Sequence, residues 1–458
     1  MPSSNEIRII VCIVIGIVFF LCIIIYNNHW NGEDSLFIRT KDSLDQHRRS
    51  RHLPVVDQRK QKLLVFMVDG FSHDYVNDKS LVGLQKFMSS GSRVKHVKPI
   101  FPSITYPNMF SQVTGLYAEN HGVLGNSLID NKNNKTFDDG PPSNTEDRWF
   151  NESTPLWLTA EKEELKSVVY FWPGCYISKD GVQASNYTRY KSFYNVSDEE
   201  YKLHYETLIK ESFNKLSKEN YSLVLLYSEI IDHVSHLVGK PSKEFDSSMK
   251  LTDSLIEYLI KTRDEFKMTL DLNIILVSDH GHAFETPKNP FKIHYLSDYL
   301  PNYREDLEHF SVNGPSAYLW PKKDKFSKVY ANLSSLEIEG KGVKVYVKGM
   351  DIPAKYHINH ERTGDILLVA DPGYSLEPDI AMAFKGERKV GNHGWDPDKE
   401  DDMQGIFIAN GPAFKKGYVS RKGIRMVDEY NVFCHVLGLT SCHANNGSWD
   451  SVSDLLVK

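Results

Sequence analysis

Two short segments of this chain place an Asp beside a His where a buried strand should end. The run Asn273-Ile-Ile-Leu-Val277-Ser278 closes on Asp279-His280, and Leu223-Val-Leu-Leu-Tyr227 leads into Asp232-His-Val-Ser-His236. Short, nearly continuous apolar runs fit strands covered on both faces, as in a parallel sheet flanked by helices. In such sheets, ligands and metals gather beyond the carboxyl ends of the strands. A third run, 63–68, stops at Asp69-Gly70. Carboxylate and imidazole are the donors Zn²⁺ takes when thiolates are not used. Two such pairs in one chain suggest two metals, and two metals suggest phosphoryl chemistry.

Further strands are expected at 168–171 and 406–409. Helices are expected at 80–89, from Thr105 with Pro107 in its first turn, at 198–217, and at 245–267, where Leu251, Leu255, Leu259 and Ile260 share one apolar face. Strands alternating with helices imply an α/β fold with a mostly parallel central sheet flanked by helices on both faces. Residues 283–390, richer in Pro, Lys and Tyr, read as an irregular excursion within one catalytic domain spanning 61–458.

The N-terminus bears on compartment. Residues 9–26 form an uncharged apolar run of 18 residues, at the short end for a membrane-spanning helix and followed by no small-x-small cleavage site. The organisation expected is a cytoplasmic tail at 1–8, a signal-anchor at 9–26 and a polar stalk at 27–60. Asn134, Asn151, Asn186, Asn195, Asn220, Asn332 and Asn446 each begin a glycosylation sequon, favouring a body outside the cytoplasm. The expected localisation is therefore the plasma membrane, single-pass type II. Arg48-Arg-Ser-Arg51 is either a solvated basic cluster or a processing site that would shed the body after Arg51.

The net charge of −6 gives no reason to expect a stable nucleic-acid partner. The five Cys contain no Cys-x-x-Cys, which excludes a thiolate metal site of that pattern. Cys434 and Cys442, eight apart, can close a short disulfide in an oxidising compartment. Cys175 is then left over, either buried or linking two chains.

Asp232 and His236 share a face if their segment is helical. His393, between Gly residues in Gly391-Asn-His393-Gly394, sits where backbone can approach a ligand. Each of these residues taken singly is as well explained as a cap or turn former; three Asp and three His at strand ends favour metal. Thr105 in Phe101-Pro-Ser-Ile-Thr105-Tyr106-Pro107-Asn108 places a hydroxyl at a helix start, where it is either a plain N-cap or a nucleophile beside an anion site. Asn126 is either a turn residue or a donor to a phosphoryl oxygen.

The ordered motifs Met67-Val-Asp69-Gly70-Phe71, Thr105-Tyr-Pro-Asn108, Val113-Thr-Gly-Leu-Tyr117, Glu119-Asn-His-Gly122, Asp232…His236, Ser278-Asp-His-Gly281 and Asn392-His-Gly394 resemble the ectonucleotide pyrophosphatase/phosphodiesterase family of the alkaline phosphatase superfamily. The resemblance covers about 61 to the end. It implies two Zn²⁺, one on Asp232, His236 and His393, the other on Asp69, Asp279, His280 and the nucleophile Thr105. Asn126 would hold a phosphoryl oxygen. Tyr106 and Tyr194 would stack a nucleotide base, with Tyr227 lining the pocket or serving as a core strand residue. The implied activity is hydrolysis of extracellular nucleotides to nucleoside 5′-monophosphates through a covalent Thr intermediate. Alternatives are a choline- or lysophospholipid-phosphodiesterase of the same family, and a catalytically weak surface interaction protein. The chain departs from the family pattern at Ile104, where Lys is frequent, and at Ile230-Ile231, where Glu-Pro is frequent. His233 and His282 are extra histidines close to the metal positions. Oligomeric state is not encoded in any of these motifs.

Overall fold

Every residue from Leu63 to Val68 is sealed from solvent, so strand β1 (Lys62–Val68) has no face to spare for water and must lie mid-sheet with helices above and below. The computed structural model describes residues 61–137, 146–193, 195–380 and 389–457, and they belong to a unit spanning Lys60–Lys458. Along the chain, β1 is followed by α1 (Val82–Ser89), β2 (Ser92–Arg93), α2 (Thr105–Thr114), α3 (Leu156–Lys162), β3 (Lys166–Tyr170) and β4 (Asn186–Thr188). Then come α4 (Asp198–Lys218), β5 (Tyr221–Ser228), α5 (Ile230–Val238), α6 (Lys243–Glu265) and β6 (Leu272–Val277). After a long insertion the chain returns as β13 (Phe407–Asn410) and β14 (Tyr418–Val419), and α8 (Glu429–Leu437) lies near the end.

The eight-stranded sheet has the order β14-β2-β13-β6-β1-β5-β3-β4. β6, β1, β5, β3 and β4 are mutually parallel, while β13 runs antiparallel to β6 and to β2. The carboxyl ends of the adjacent strands β6, β1 and β5 thus open on one edge, each followed by one of the acids singled out in the sequence. Local signals agree with the helices: Ser197 and Glu200 form a reciprocal capping box at the start of α4.

The segment expected to be irregular, 283–390, is more ordered than its composition suggests. It carries β7 (Ala283–Phe284), β8 (Leu307–Asn313), β9 (Ser316–Pro321), α7 (Phe326–Ile338), β10 (Val343–Val347) and β11 (Ile366–Ala370), and its end leads into β12 (Gly391–Asn392). Strands β8, β9, β11 and β10 form an antiparallel sheet in that order, over a core of its own that includes Leu319, Val329, Leu333 and Leu368. In Val343-Lys-Val-Tyr-Val347, apolar residues alternate inward while Lys344 and Tyr346 stay half-exposed. A one-sided sheet reads as polar in bulk composition, which hides it.

The plasma-membrane localisation and the membrane contact through one N-terminal helix require correction. Among the described residues no helix is long and apolar enough to cross a membrane. The longest, α4 and α6, reach that length but carry Lys and Glu along an exposed face. The tail, apolar run, stalk and Arg51 lie outside the described residues.

Cys434 and Cys442 are joined by a disulfide that ties the end of α8 to the following loop. Cys175 is a free, buried thiol. Of the sequon asparagines, Asn134, Asn151, Asn195, Asn220 and Asn446 are exposed, and Asn186 and Asn332 half-buried.

Candidate active site

Asp69 follows β1, Asp279 and His280 follow β6, and Asp232 and His236 lie one turn apart on α5, which begins directly after β5. His393 arrives from the returning insertion. Its approach is set by backbone: β12 pairs antiparallel with β7, Asn392 opposite Ala283, and Val390 N–H donates to the His236 carbonyl. Gly391 passes so close to α5 that a Cβ there would stand 2.4 Å from the Ser235 carbonyl oxygen, which explains the Gly on this rim.

These side chains converge around two centres. In the first, Asp232 Oδ1 lies 3.5 Å from His236 Nε2 and 3.3 Å from His393 Nε2, and the two imidazole nitrogens are 3.2 Å apart. In the second, His280 Nε2 is 3.4 Å from Asp69 Oδ1, 3.2 Å from Asp279 Oδ2 and 3.4 Å from Thr105 Oγ1. Asp69 Oδ1, Asp232 Oδ1 and Asp279 Oδ2 are all buried and accept no hydrogen bond. Buried carboxylate oxygens without donors are costly unless a cation satisfies them.

The histidines are oriented in a way that suits metal ligation. His236 Nδ1 donates to the Gly391 carbonyl, His393 Nδ1 to the Ser103 carbonyl, and His280 Nδ1 to the Gly281 carbonyl. A carbonyl only accepts, so in each ring Nδ1 carries the hydrogen. Burial holds all three rings below the usual imidazole range, so each is neutral and its Nε2 lone pair faces the centre. Asp69 and Asp279 show the converse strain. Burial, with Asp279 and Asp232 nearby, pushes Asp69 well up, and burial with Asp232 pushes Asp279 to about 7. Three acids this close cannot all ionise without an added cation. The donor set and its orphaned atoms therefore fit divalent metal, and Asp232 and His280 also group with Asp69 across the two centres.

Thr105 is the first residue of α2, nearly buried, with the helix N-terminus behind it. Asn108 fixes the preceding loop: its side chain accepts from Ile100 N–H and donates to the Pro102 and Ile104 carbonyls. Asn126 accepts the Tyr106 N–H through Oδ1 at 2.9 Å, which turns its Nδ2 amide into the donor end. Tyr106 is half-buried, with Phe137 and Phe150 as ring neighbours at 6.1 and 6.3 Å. Tyr194 lies outside the described residues; its neighbour Phe193 is held through N–H to the buried Glu229.

Tyr227 is buried in β5 and its hydroxyl donates to Asp69 Oδ2 at 2.6 Å. This orienting role has no sequence signal beyond a Tyr at a strand end. Tyr227→Phe is expected to lower metal affinity or turnover about 10- to 100-fold with little change in fold, checked by metal content and steady-state kinetics. His282 also joins the Asp232 centre, whereas His233 is absent from the metal-competent groups formed by the described residues.

A parallel α/β sheet with paired acid and imidazole clusters at its strand ends, and a threonine at a helix N-terminus between them, defines a phosphate-ester hydrolase of the alkaline phosphatase type. A family model described as type I phosphodiesterase / nucleotide pyrophosphatase matches residues 63–396. The chain is 32% identical to human ectonucleotide pyrophosphatase/phosphodiesterase family member 5, covering 87% of this chain and 78% of that one. It is 34% identical to human bis(5′-adenosyl)-triphosphatase ENPP4, covering 86% and 82%. Among solved structures, an inactive variant of murine family member 5 in complex with AMP superposes with a TM-score of 0.76 at 31% identity, covering 87% of this chain and all of that one. The chain belongs to the ectonucleotide pyrophosphatase/phosphodiesterase family, whose members are hydrolases.

Proposed function

We propose that this enzyme cleaves pyrophosphate and phosphodiester bonds of nucleotides, releasing nucleoside 5′-monophosphates through a covalent intermediate on Thr105. The observation that carries this reading is the Thr105 hydroxyl at a helix N-terminus, 3.4 Å from His280 Nε2 and beside two carboxylate oxygens, Asp69 Oδ1 and Asp279 Oδ2, that accept no hydrogen bond. Two Zn²⁺ would be held by Asp232, His236 and His393, and by Asp69, Asp279, His280 and Thr105. When bound, they would supply the positive charge that acidifies the threonine hydroxyl and polarises phosphoryl oxygens.

Thr105 Oγ1 attacks phosphorus in line; the Oγ1–P bond forms as the bond to the leaving oxygen breaks. The N-terminal turn of α2 and the Asn126 amide face the non-bridging oxygens, where charge accumulates. Water then displaces Thr105 from phosphorus, the hydroxyl is restored and the monophosphate leaves. Two in-line displacements give net retention at phosphorus. Tyr106, with Tyr194, is proposed to stack the base. The AMP seen with the murine relative and the dinucleotide named for the human one support nucleotide substrates.

The test is a panel of ATP, diadenosine tri- and tetraphosphate, a dinucleotide and a lysophosphatidylcholine, with and without chelator. AMP release that chelator abolishes and zinc restores is expected. Release of phosphocholine without AMP would overturn the nucleotide assignment, and turnover indifferent to chelator would overturn the metal assignment.

A further inference from the structure

His282 stands outside the ligand set just proposed, yet its geometry matches that of a ligand. It is sealed from solvent, and its Nε2 lies 3.1 Å from Asp232 Oδ1. Neither of its ring nitrogens makes a hydrogen bond, and neither does that oxygen. The two atoms are close without the directions of a donor and acceptor, which is how two ligands aimed at one intervening ion meet.

Asp232 Oδ1 therefore has three imidazole nitrogens around it, at 3.5, 3.1 and 3.3 Å for His236, His282 and His393, with the His236 and His393 nitrogens 3.2 Å apart. Donors at tetrahedral corners, 2.0–2.1 Å from zinc, stand about 3.3 Å from one another. One donor atom from each of these four residues fits within a single metal-sized cluster.

The backbone builds this placement. Ala283 pairs with Asn392 in the β7–β12 ladder, so the next positions outward, His282 and His393, stand opposite one another. The His282 backbone N–H donates to Ser72 Oγ at 2.9 Å. Gly70, at φ +70°, makes room for the ring: a Cβ there would lie 2.6 Å from His282 Cε1.

We propose that His282 is a fourth protein ligand of the Asp232/His236/His393 site, closing its tetrahedron. The two centres then differ in kind. The His282 centre has four protein side-chain donors and would hold its ion the more tightly of the two, its charge still facing the phosphoryl oxygens. The Asp69/Asp279/His280 centre is open, because its fourth donor is the Thr105 hydroxyl that enters the reaction. This inference rests on the proposed two-metal site.

The experiment uses the purified zinc-loaded chain and His282→Gln, with zinc retention followed by elemental analysis across a chelator titration. X-ray absorption counts the imidazoles on the bound ions. In the wild type, one zinc is expected to leave at low chelator concentration and the other to resist. In His282→Gln the resistant ion is expected to leave at about 10- to 100-fold lower chelator concentration, with one imidazole lost from the count. Unchanged retention and an unchanged count would overturn the proposal while leaving the two-metal site standing. A wild type that binds no zinc would overturn both. Should the variant fail to fold, the wild-type count decides: imidazoles from His236, His280 and His393 alone overturn the proposal, and one more supports it.

Discussion

Thr105→Ala is expected to abolish turnover, by at least ~10³-fold in kcat, while metal content and thermal stability stay near those of the wild type. The substitution removes only Oγ1 and the methyl from a nearly buried position. The other donors around His280, from Asp69 and Asp279, are untouched. The start of α2 survives because Asn108, not Thr105, holds the preceding loop. Thr105→Ser, which keeps the hydroxyl, should recover much of the lost rate. Rapid quenching with radiolabelled nucleotide should trap label on the wild type and on the Ser variant, and none on the Ala variant. Full turnover by Thr105→Ala would overturn the covalent mechanism, and a chiral phosphorothioate substrate that leaves with inversion would do the same.

How much of this site is visible in the chain depends on how each residue reaches it. Asp69, Asp232 and Asp279 follow strands whose apolar runs are unbroken, so both the strands and the acids at their ends stand out. β6 is also followed by His280, and α5, directly after β5, carries His236. Parallel pairing of β6, β1 and β5 brings those ends together, and an alternating β/α order already implies such a sheet. His282 is harder to place. Its position depends on a two-residue ladder with Asn392 and on the empty side of Gly70. Neither can be found without knowing where the insertion returns. The insertion itself is obscured for a related reason: its sheet buries one face only, so Lys and Tyr on the other dilute the pattern. Tyr227 belongs to a third class. Its ring satisfies the strand pattern whatever its hydroxyl does, and only geometry reveals the bond to Asp69.

Asp279→Asn is expected to reverse its effect on stability according to whether metal is bound. In the metal-free protein Asp279 is fully buried, and burial together with Asp232 raises its pKa from 3.8 to about 7. A carboxyl whose folded value lies above its unfolded value binds a proton on folding. It costs nothing below the unfolded value, costs progressively more as pH rises toward the folded value, and costs the full amount above it. A shift of this size corresponds to on the order of 2–4 kcal/mol above pH 7. Asn is nearly isosteric and carries no charge; its oxygen can keep the bond from Gly70 N–H that Asp279 Oδ1 accepts at 3.2 Å. It also relieves Asp69, whose raised value owes part of its shift to Asp279. Denaturant unfolding with excess chelator should therefore show the variant more stable than the wild type at pH 8, and the two converging near pH 4. With saturating zinc the order should invert, because the wild type gains binding free energy at this centre that the variant largely forgoes. Turnover should be lost in the variant under both conditions. A variant less stable than the wild type in chelator at pH 8 would mean that Asp279 is satisfied by the protein alone, and the metal assignment at this centre would fall.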